Sequence, residues 1–293
     1  MPALSVIIVA WNSREPLGGC LDSIRAARPE TPIEVIVVDN ASADGTPEFL
    51  RQEHPAVRLI ANRDNRGFAA ACNQGASAAR GDCLVFLNPD SRVHAGTLDS
   101  AAAFMSRHAA IGIMGCRTLH PDGSLQRTAR TFPTPARICA RVAGLGWGGR
   151  GRRRDAARFD YVQGSFLVAR RQDFIALGGF DERFFVYGED VDLCLRARRS
   201  GVGVAYDEGT TVTHQGGSLD GDRIAHFIAS CLRLYRRHRR PDEAARLARL
   251  MRLALLLRLA TAAASAPRAG RRALEEYRRL KRALAEAPSG TGR

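Results

Sequence analysis

A chain of 293 residues with 45% hydrophobic content can bury the core of one large domain with a smaller element beside it, which excludes wholesale disorder. A formal charge of +14 and a pI near 10.6 call for an anionic partner or surface, whether nucleic acid, phospholipid headgroups or a phosphorylated small molecule. The seven cysteines form no Cys-x-x-Cys pair and read as small reduced core residues.

In chain order, Ser5 to Ala10, Ile33 to Asp39, Val57 to Ala61 and Cys83 to Asn88 are short, rich in β-branched or aromatic residues and almost continuously apolar. That is the pattern of strands buried on both faces. Helical periodicity fills the intervals at about Pro16 to Ala27, Thr46 to Glu53 and Phe68 to Ala79. The alternation predicts an α/β fold, a doubly wound and mostly parallel sheet with helices on both faces. Ligands of such sheets bind beyond the carboxyl ends of the strands. Those ends carry Trp11 and Asn12, Asp39 and Asn40, then Asn88 and Asp90.

Two more strands are predicted between Ile111 and Arg130, and another over Tyr161 to Arg170, after a Gly- and Arg-rich stretch from Gly144 to Arg158 that reads as a mobile loop. Gly144 to Gly149 satisfies G-x-G-x-x-G, the fingerprint of dinucleotide binding. The context contradicts it: no strand precedes, Arg150 to Arg154 stand where a packed helix should start, and the nearest following acid, Asp173, comes late.

From Gly178 to Arg196 the chain concentrates glycine, aromatic and acidic residues, and Val191, Leu193, Cys194, Leu195 and Ala197 predict a helix with Glu189 and Asp190 at its start. Adjacent carboxylates repel, which raises the pKa of one, while the positive end of the helix dipole opposes the shift. One of them can then act as a general base near neutral pH. The same run also suits an ordinary amphipathic helix with Asp192 and Arg196 as a surface pair.

After His214 the composition turns to Arg, Ala and Leu, and helices are predicted over Asp222 to Arg240, Asp242 to Ser265 and Arg268 to Ala285, broken by Pro241 and Pro267. A boundary is therefore expected between a catalytic domain, 1–217, and a basic helical extension, 218–293. In the second helix Leu247, Leu250, Met251, Ala254 and Leu257 share one side and Arg246, Arg249 and Arg252 another, which suits packing or an anionic membrane surface. Leu253 to Ala266 is too short to span a bilayer, and the first residues show no leader pattern, so a cytoplasmic chain, free or peripheral on the inner face of the membrane, is expected.

Four further groups converge on one candidate site. Asp39 can accept the imino hydrogen of a pyrimidine or bind a ribose, although an aspartate there also suits a turn. Asn65-Arg66-Gly67-Phe68, with Asn73, opens a helix whose amides and Arg66 can face a diphosphate, or simply be capped. Asn88-Pro89-Asp90 supplies one hard oxygen ligand for Mg²⁺ or Mn²⁺, and His214 can supply a second ligand.

In this order the motifs resemble the family 2 glycosyltransferases, inverting enzymes of GT-A fold, over Leu4 to Gly217. The likeness is strongest to the bacterial rhamnosyltransferase-like branch, where Asn-Pro-Asp commonly replaces Asp-x-Asp and Gly-Gly-Phe-Asp-Glu precedes Glu-Asp-Val-Asp. The resemblance implies a nucleotide-diphosphate sugar donor, TDP-rhamnose-like or a UDP-sugar, and a glycan or lipid-linked saccharide acceptor. It assigns Asp39 to the nucleotide base and places Asn12, Asn40, Arg66, Gly67, Asn73 and Asp90 around the donor. Asp90 and His214 become metal and diphosphate ligands, and Asp190, with Glu189 beside it, the catalytic base. Asn88 departs from the two-carboxylate pattern, and its neutral amide attracts a metal less. The choice of sugar is expected to fall to the pocket around Trp11, Phe166 and Tyr187.

A nucleotidyltransferase would carry a Gly-rich basic signature where this chain has Ala10-Trp11-Asn12-Ser13. A nucleic-acid-binding protein would suit Arg236 to Arg240, but no reading motif is present and the clustered acids would repel phosphates, so no nucleic-acid partner is expected.

Overall fold

The computed structural model describes residues 3–143, 159–216 and 221–265. The described residues fall into two compact units, one built from residues 3–131, 159–185 and 189–216, the other from 132–143, 186–188 and 221–265. The second unit thus takes in two segments that sequence order alone would leave in the first.

The first unit opens with β1 (Leu4–Ala10), α1 (Arg14–Ala27), β2 (Ile33–Asp39), α2 (Thr46–Glu53), β3 (Arg58–Ala61), α3 (Phe68–Ala78) and β4 (Cys83–Leu87). Each crossover is a helix, so the four strands run parallel in the order β3-β2-β1-β4. Every residue of β1 is buried, as its unbroken apolar run requires. Leu17, Cys20, Leu21 and Ile24 on α1 repeat at helical spacing and join the core on one side of the sheet. On α3, Gly75 lies so close to β1 that a Cβ there would come within 2.5 Å of Ile7.

The chain continues through β5 (Ser91–Val93), α4 (Thr97–Arg107), β6 (Ile111–Leu119), β7 (Leu125–Gln126) and β8 (Ala129–Arg130), and, past α5 (Pro135–Val142) of the second unit, to β9 (Tyr161–Val162), β10 (Phe166–Arg170), α6 (Arg171–Ala176), α7 (Glu189–Arg199) and β11 (Gly203–His214). The sheet extends as β4-β10-β6-β11-β5, with β10 antiparallel to both its neighbours and β6 parallel to β11. The parallel half is therefore followed by a mixed half. The single strand expected over Tyr161 to Arg170 is split: β9 pairs with β8, β10 pairs with β4 and β6, and Gln163-Gly164-Ser165 turns between them. Phe166 is a core residue of β10, 1% exposed, and does not line an open pocket. Phe86, Phe174 and Phe180 stack with centroids 4.9–5.3 Å apart and anchor the Gly178–Phe180 turn beneath the sheet end.

In the second unit α5 packs with α8 (Gly221–His238) and α9 (Pro241–Ser265). Tyr235 of α8 stacks on Phe132 and donates its hydroxyl hydrogen to the Pro133 carbonyl at 2.8 Å. The apolar side read for α9 is divided. Leu247, Met251, Ala254 and Leu255 are buried, whereas Leu250, Leu253, Leu256 and Leu257 are exposed beside Arg246, Arg249 and Arg252. Leucines on both sides of one helix satisfy a core face and leave a second apolar stripe. Among the described residues no helix is long and apolar enough to cross a membrane. The G-x-G-x-x-G run, the loop around it and the helix expected over Arg268 to Ala285 lie outside the described residues.

Candidate active site

The register of the parallel strands puts Asp39 level with Ala10 and brings the ends of β2, β1 and β4 side by side. Successive helical crossovers leave β1 between β2 and β4, the switch point where a crevice opens. Asp39 is 1% exposed; its Oδ2 accepts the Ser42 N–H at 3.1 Å, while its Oδ1 is buried with no hydrogen-bond partner. A buried acceptor without a donor is costly, and an N–H brought by a ligand would relieve it. Asn12 takes a left-handed conformation (φ 47°), donates its N–H to Ser42 Oγ at 2.9 Å and accepts the Ala43 N–H at 2.8 Å. It thereby locks the loop after β2 against the end of β1.

The Asn65–Phe68 turn is more occupied than its sequence suggests. Asn40 Nδ2 donates to the Gly67 carbonyl at 3.0 Å, and Asn40 Oδ1 accepts from Asn62 at 2.9 Å. Both ends of the Asn40 amide are thus spent on holding this turn. The Gly67 N–H donates to Asn65 Oδ1, and the Phe68 N–H donates to the Phe185 carbonyl at 2.6 Å, so these two amides at the head of α3 do not face a ligand. Gly67 (φ 84°) is required by packing, since a Cβ would lie 2.7 Å from the Phe185 carbonyl oxygen. Arg66 alone projects an exposed cation.

Asn73 is bonded within the protein through both ends of its amide. Its Oδ1 accepts the Phe180 N–H at 2.9 Å, and its Nδ2 donates to the Phe180 carbonyl at 2.8 Å and to Glu182 Oε1 at 3.0 Å. The side chain pairs with a backbone amide and clamps the Gly178–Glu182 turn. From the other side Arg196 donates to the Leu177 carbonyl and, at 2.7 Å, to the Gly179 carbonyl, while its Nε meets Asp192 at 2.7 Å. Asp192 is fully buried, so the pair expected on the surface is an interior one.

Asp90 and His214 meet: His214 Nε2 lies 3.2 Å from Asp90 Oδ1 and 3.1 Å from Asn88 Nδ2, and His214 Nδ1 lies 2.7 Å from Gln126 Oε1. Burial alone would raise the Asp90 carboxyl, but the hydrogen bond and charge of His214 and backbone N–H bonds outweigh it and hold it below the usual carboxylate range. With Nδ1–H given to Gln126, a protonated ring donates Nε2–H to Asp90, whereas a neutral ring turns its Nε2 lone pair toward Asp90 and the two acceptors suit a bound cation. Two ligand atoms about 3 Å apart suit adjacent positions on a Mg²⁺ or Mn²⁺ ion with bonds of about 2.1 Å. Among the described residues no third His, Cys, Asp or Glu joins them, so further ligands would come from elsewhere, as a diphosphate can provide.

Tyr187 (φ 68°) and Gly188 (φ 89°) turn the chain sharply into α7, whose first residues are Glu189 and Asp190, 5% and 9% exposed. Asp190 Oδ2 accepts the Gly164 N–H at 3.0 Å and Oδ1 accepts the Val191 N–H at 2.8 Å. Burial pushes both carboxyls up. For Asp190 the two backbone donors and the charge of Arg130 oppose the rise; for Glu189 the neighbouring Asp190 charge adds to it, and Glu189 Oε2 is buried without a partner. Glu189 is accordingly pushed up further than Asp190, whose two backbone donors favour its charged form. A run of hydrogen bonds joins Asp190 to the Asp90–His214 pair: Gly164 donates to Asp190, the Ser165 carbonyl accepts the Asn88 N–H at 3.1 Å, and Asn88 touches His214. Gly164, Ser165, Gln126 and Arg130 carry no motif; only the β8–β9 and β6–β7 pairings bring them here.

A mixed sheet with a parallel nucleotide-type half, and acids gathered at its carboxyl edge, defines the GT-A class. The glycosyl transferase family 2 model matches residues 5–178. The chain is 32% identical over 248 residues to the N-acetylglucosaminyl-diphospho-decaprenol L-rhamnosyltransferase of Mycobacterium tuberculosis, covering 77% of this chain and 80% of that one. It is 27% identical over 229 residues to the O-antigen biosynthesis protein RfbC of Myxococcus xanthus, which is 73% of this chain and 17% of that protein. The mannosyltransferase PcManGT of Pyrobaculum calidifontis, solved with GDP-Man and Mn²⁺, shares the fold with a TM-score of 0.57 at 18% identity, over 99% of this chain and 88% of its own. This chain belongs to glycosyltransferase family 2, in its rhamnosyltransferase-like branch.

Proposed function

We propose that the enzyme transfers rhamnose, or a similar sugar, with inversion from a TDP- or UDP-linked donor to a hydroxyl of a lipid-diphosphate-linked saccharide. The observation that carries this reading is the hydrogen-bonded run from the buried Asp190 through Gly164 and Ser165 to Asn88, His214 and Asp90. It supports a reading in which Asp190 is the base and Asp90 with His214 the cation-holding pair, the two groups that single displacement needs. The relative from Mycobacterium tuberculosis, named for rhamnosyl transfer to a diphospho-decaprenol-linked N-acetylglucosamine, supports the choice of sugar and acceptor.

In this reading Asp39 takes the base of the nucleotide and Arg66 meets the diphosphate, while Asn12, Asn40 and Gly67 hold the loops that present them. Asp90 and His214 would hold Mg²⁺ or Mn²⁺, which supplies Lewis-acid stabilisation of the leaving diphosphate. Asp190 accepts the proton of the acceptor hydroxyl as its oxygen attacks the anomeric carbon from the face opposite the nucleotide. Glu189, neutral, leaves that charge on Asp190 alone. A panel of TDP- and UDP-sugars, tested with polyprenyl-diphosphate N-acetylglucosamine, checks the assignment: TDP-rhamnose should react, chelator should suppress turnover and NMR should show an inverted anomeric configuration. A retained configuration, or full turnover in excess chelator, overturns it.

The exposed stripe of Leu250, Leu253, Leu256 and Leu257 beside Arg246, Arg249 and Arg252 supports attachment of α9 to the inner face of an anionic membrane, where a lipid-linked acceptor is presented.

A further inference from the structure

We propose that Gln126 is a positioning residue that keeps the Nδ1 of His214 protonated and so turns Nε2 toward the cation; this rests on the assignment of Asp90 and His214 as cation ligands. His214 stands at the end of β11 between two neighbours, with β5 and the Asn88–Asp90 turn on one side and the β6–β7 hairpin on the other. From the hairpin side Gln126 Oε1 reaches His214 Nδ1 at 2.7 Å, and Gln126 Nε2 reaches His120 Nδ1 at 3.2 Å. A primary amide between two imidazoles must donate to one and accept from the other. With Nε2–H given to His120, only the carbonyl oxygen remains for His214, whose Nδ1 must then carry the hydrogen. In the metal-free ring the same Nε2 lone pair accepts Asn88 Nδ2–H at 3.1 Å, a bond that a cation displaces.

The hairpin is built to hold this geometry. The His120 N–H donates to the Ser124 carbonyl at 2.8 Å, and Asp122 accepts from both the backbone and the hydroxyl of Ser124. Gln126 pairs with Thr118, which fixes its register. Gly216 (φ 69°) leaves the space, since a Cβ there would fall 3.1 Å from Gln126 Nε2. Without the amide oxygen, the favoured neutral ring is the other tautomer, with Nε2–H donated to Asp90 Oδ1 across 3.2 Å. That hydrogen would occupy the place of the cation. A hydrogen-bond acceptor behind a metal-binding histidine typically changes metal affinity 10- to 100-fold.

The test uses the full chain with Gln126→Met, which keeps length and bulk but accepts poorly, and Gln126→Glu, which restores an acceptor. Imidazole ¹⁵N shifts of the metal-free proteins should show a protonated His214 Nδ1 in wild type and Gln126→Glu, and a protonated Nε2 in Gln126→Met. Mn²⁺ titrated with UDP present, followed by electron paramagnetic resonance, should bind Gln126→Met roughly 10- to 100-fold more weakly than wild type and Gln126→Glu within a few-fold of it. An unprotonated Nδ1 in wild type, or wild-type Mn²⁺ affinity in Gln126→Met, overturns the role of Gln126. If wild type binds no Mn²⁺ while the tautomer contrast persists, the cation assignment of Asp90 and His214 is what fails, and the proposal falls with it.

Discussion

Replacing Asn73 with alanine removes three hydrogen bonds at once, two to the backbone of Phe180 at 2.8 and 2.9 Å and one to Glu182 at 3.0 Å. The Glu182 bond is exposed and contributes least. The other two leave the Phe180 N–H and carbonyl without their partner, at about 1 to 1.5 kcal/mol each. The loss should therefore be about 2–3 kcal/mol, a fall in Tm of roughly 4–12 °C for a domain of this size. Because the Gly178–Glu182 turn is tied by Arg196 to α7, which begins with Glu189 and Asp190, loosening it should also misplace Asp190, the proposed base. We expect kcat to fall on the order of ten- to a hundredfold and donor Kd, by calorimetry, to stay within a few-fold. Thermal denaturation and single-turnover kinetics read both. If Asn73 touched the donor instead, the variant would keep its Tm and lose donor affinity tenfold or more, an outcome that would refute the clamp.

Asp190→Asn should lower kcat by about 10²–10⁴ with donor affinity nearly unchanged, since the amide cannot take a proton and can offer its oxygen to only one of the Gly164 and Val191 N–H groups; turnover within tenfold of wild type sinks the base assignment. Glu189 holds a proton in the folded chain that the unfolded chain releases above a pH of about 4.3, so its contribution to stability falls as pH rises from there toward its raised value. Glu189→Gln should then melt close to wild type at pH 4 and above it at pH 8; parallel Tm curves would contradict the buried neutral carboxyl. For α9, flotation with anionic vesicles at low salt should succeed and weaken with salt, and replacing Leu253 and Leu257 with serine should reduce it several-fold; no flotation of wild type at low salt ends the membrane reading.

The parallel half of the sheet was legible because a strand buried on both faces writes itself as a continuous apolar run. Ile33–Asp39 and Thr46–Glu53 end where their patterns end. The mixed half was not, because the place of β10 between β4 and β6 depends on pairings between distant segments that no local pattern records. Tyr161 to Arg170 reads as one strand by composition, and only the competing partners β8 and β4 break it at Gly164. In α9 the periodicity was read correctly as helical, yet leucines at 250, 253, 256 and 257 give it a second apolar side, and composition cannot say which side meets the core.

The site shows the same division between identity and partner. Asp90 and His214 come together as their chemistry suggested. Asn73 is close to Arg66 and Gly67 in sequence, but six residues along a helix of 3.6 per turn lie about 240° around its axis. A side chain there lies on another face of α3 than Gly67, toward the Phe180 turn. Asp192 and Arg196 were visible as an i,i+4 pair, while their burial was not, because the carbonyls of Leu177 and Gly179 that complete the guanidinium's bonds come from another turn of the chain. A sequence states which donors and acceptors exist, and the fold decides which of them are already spent. Asn40, Gly67 and Asn73 are spent on the scaffold, and Asp39 Oδ1 is left buried without a donor. That residual acceptor at the end of β2, more than the motif around it, is the physical reason to place the nucleotide base there.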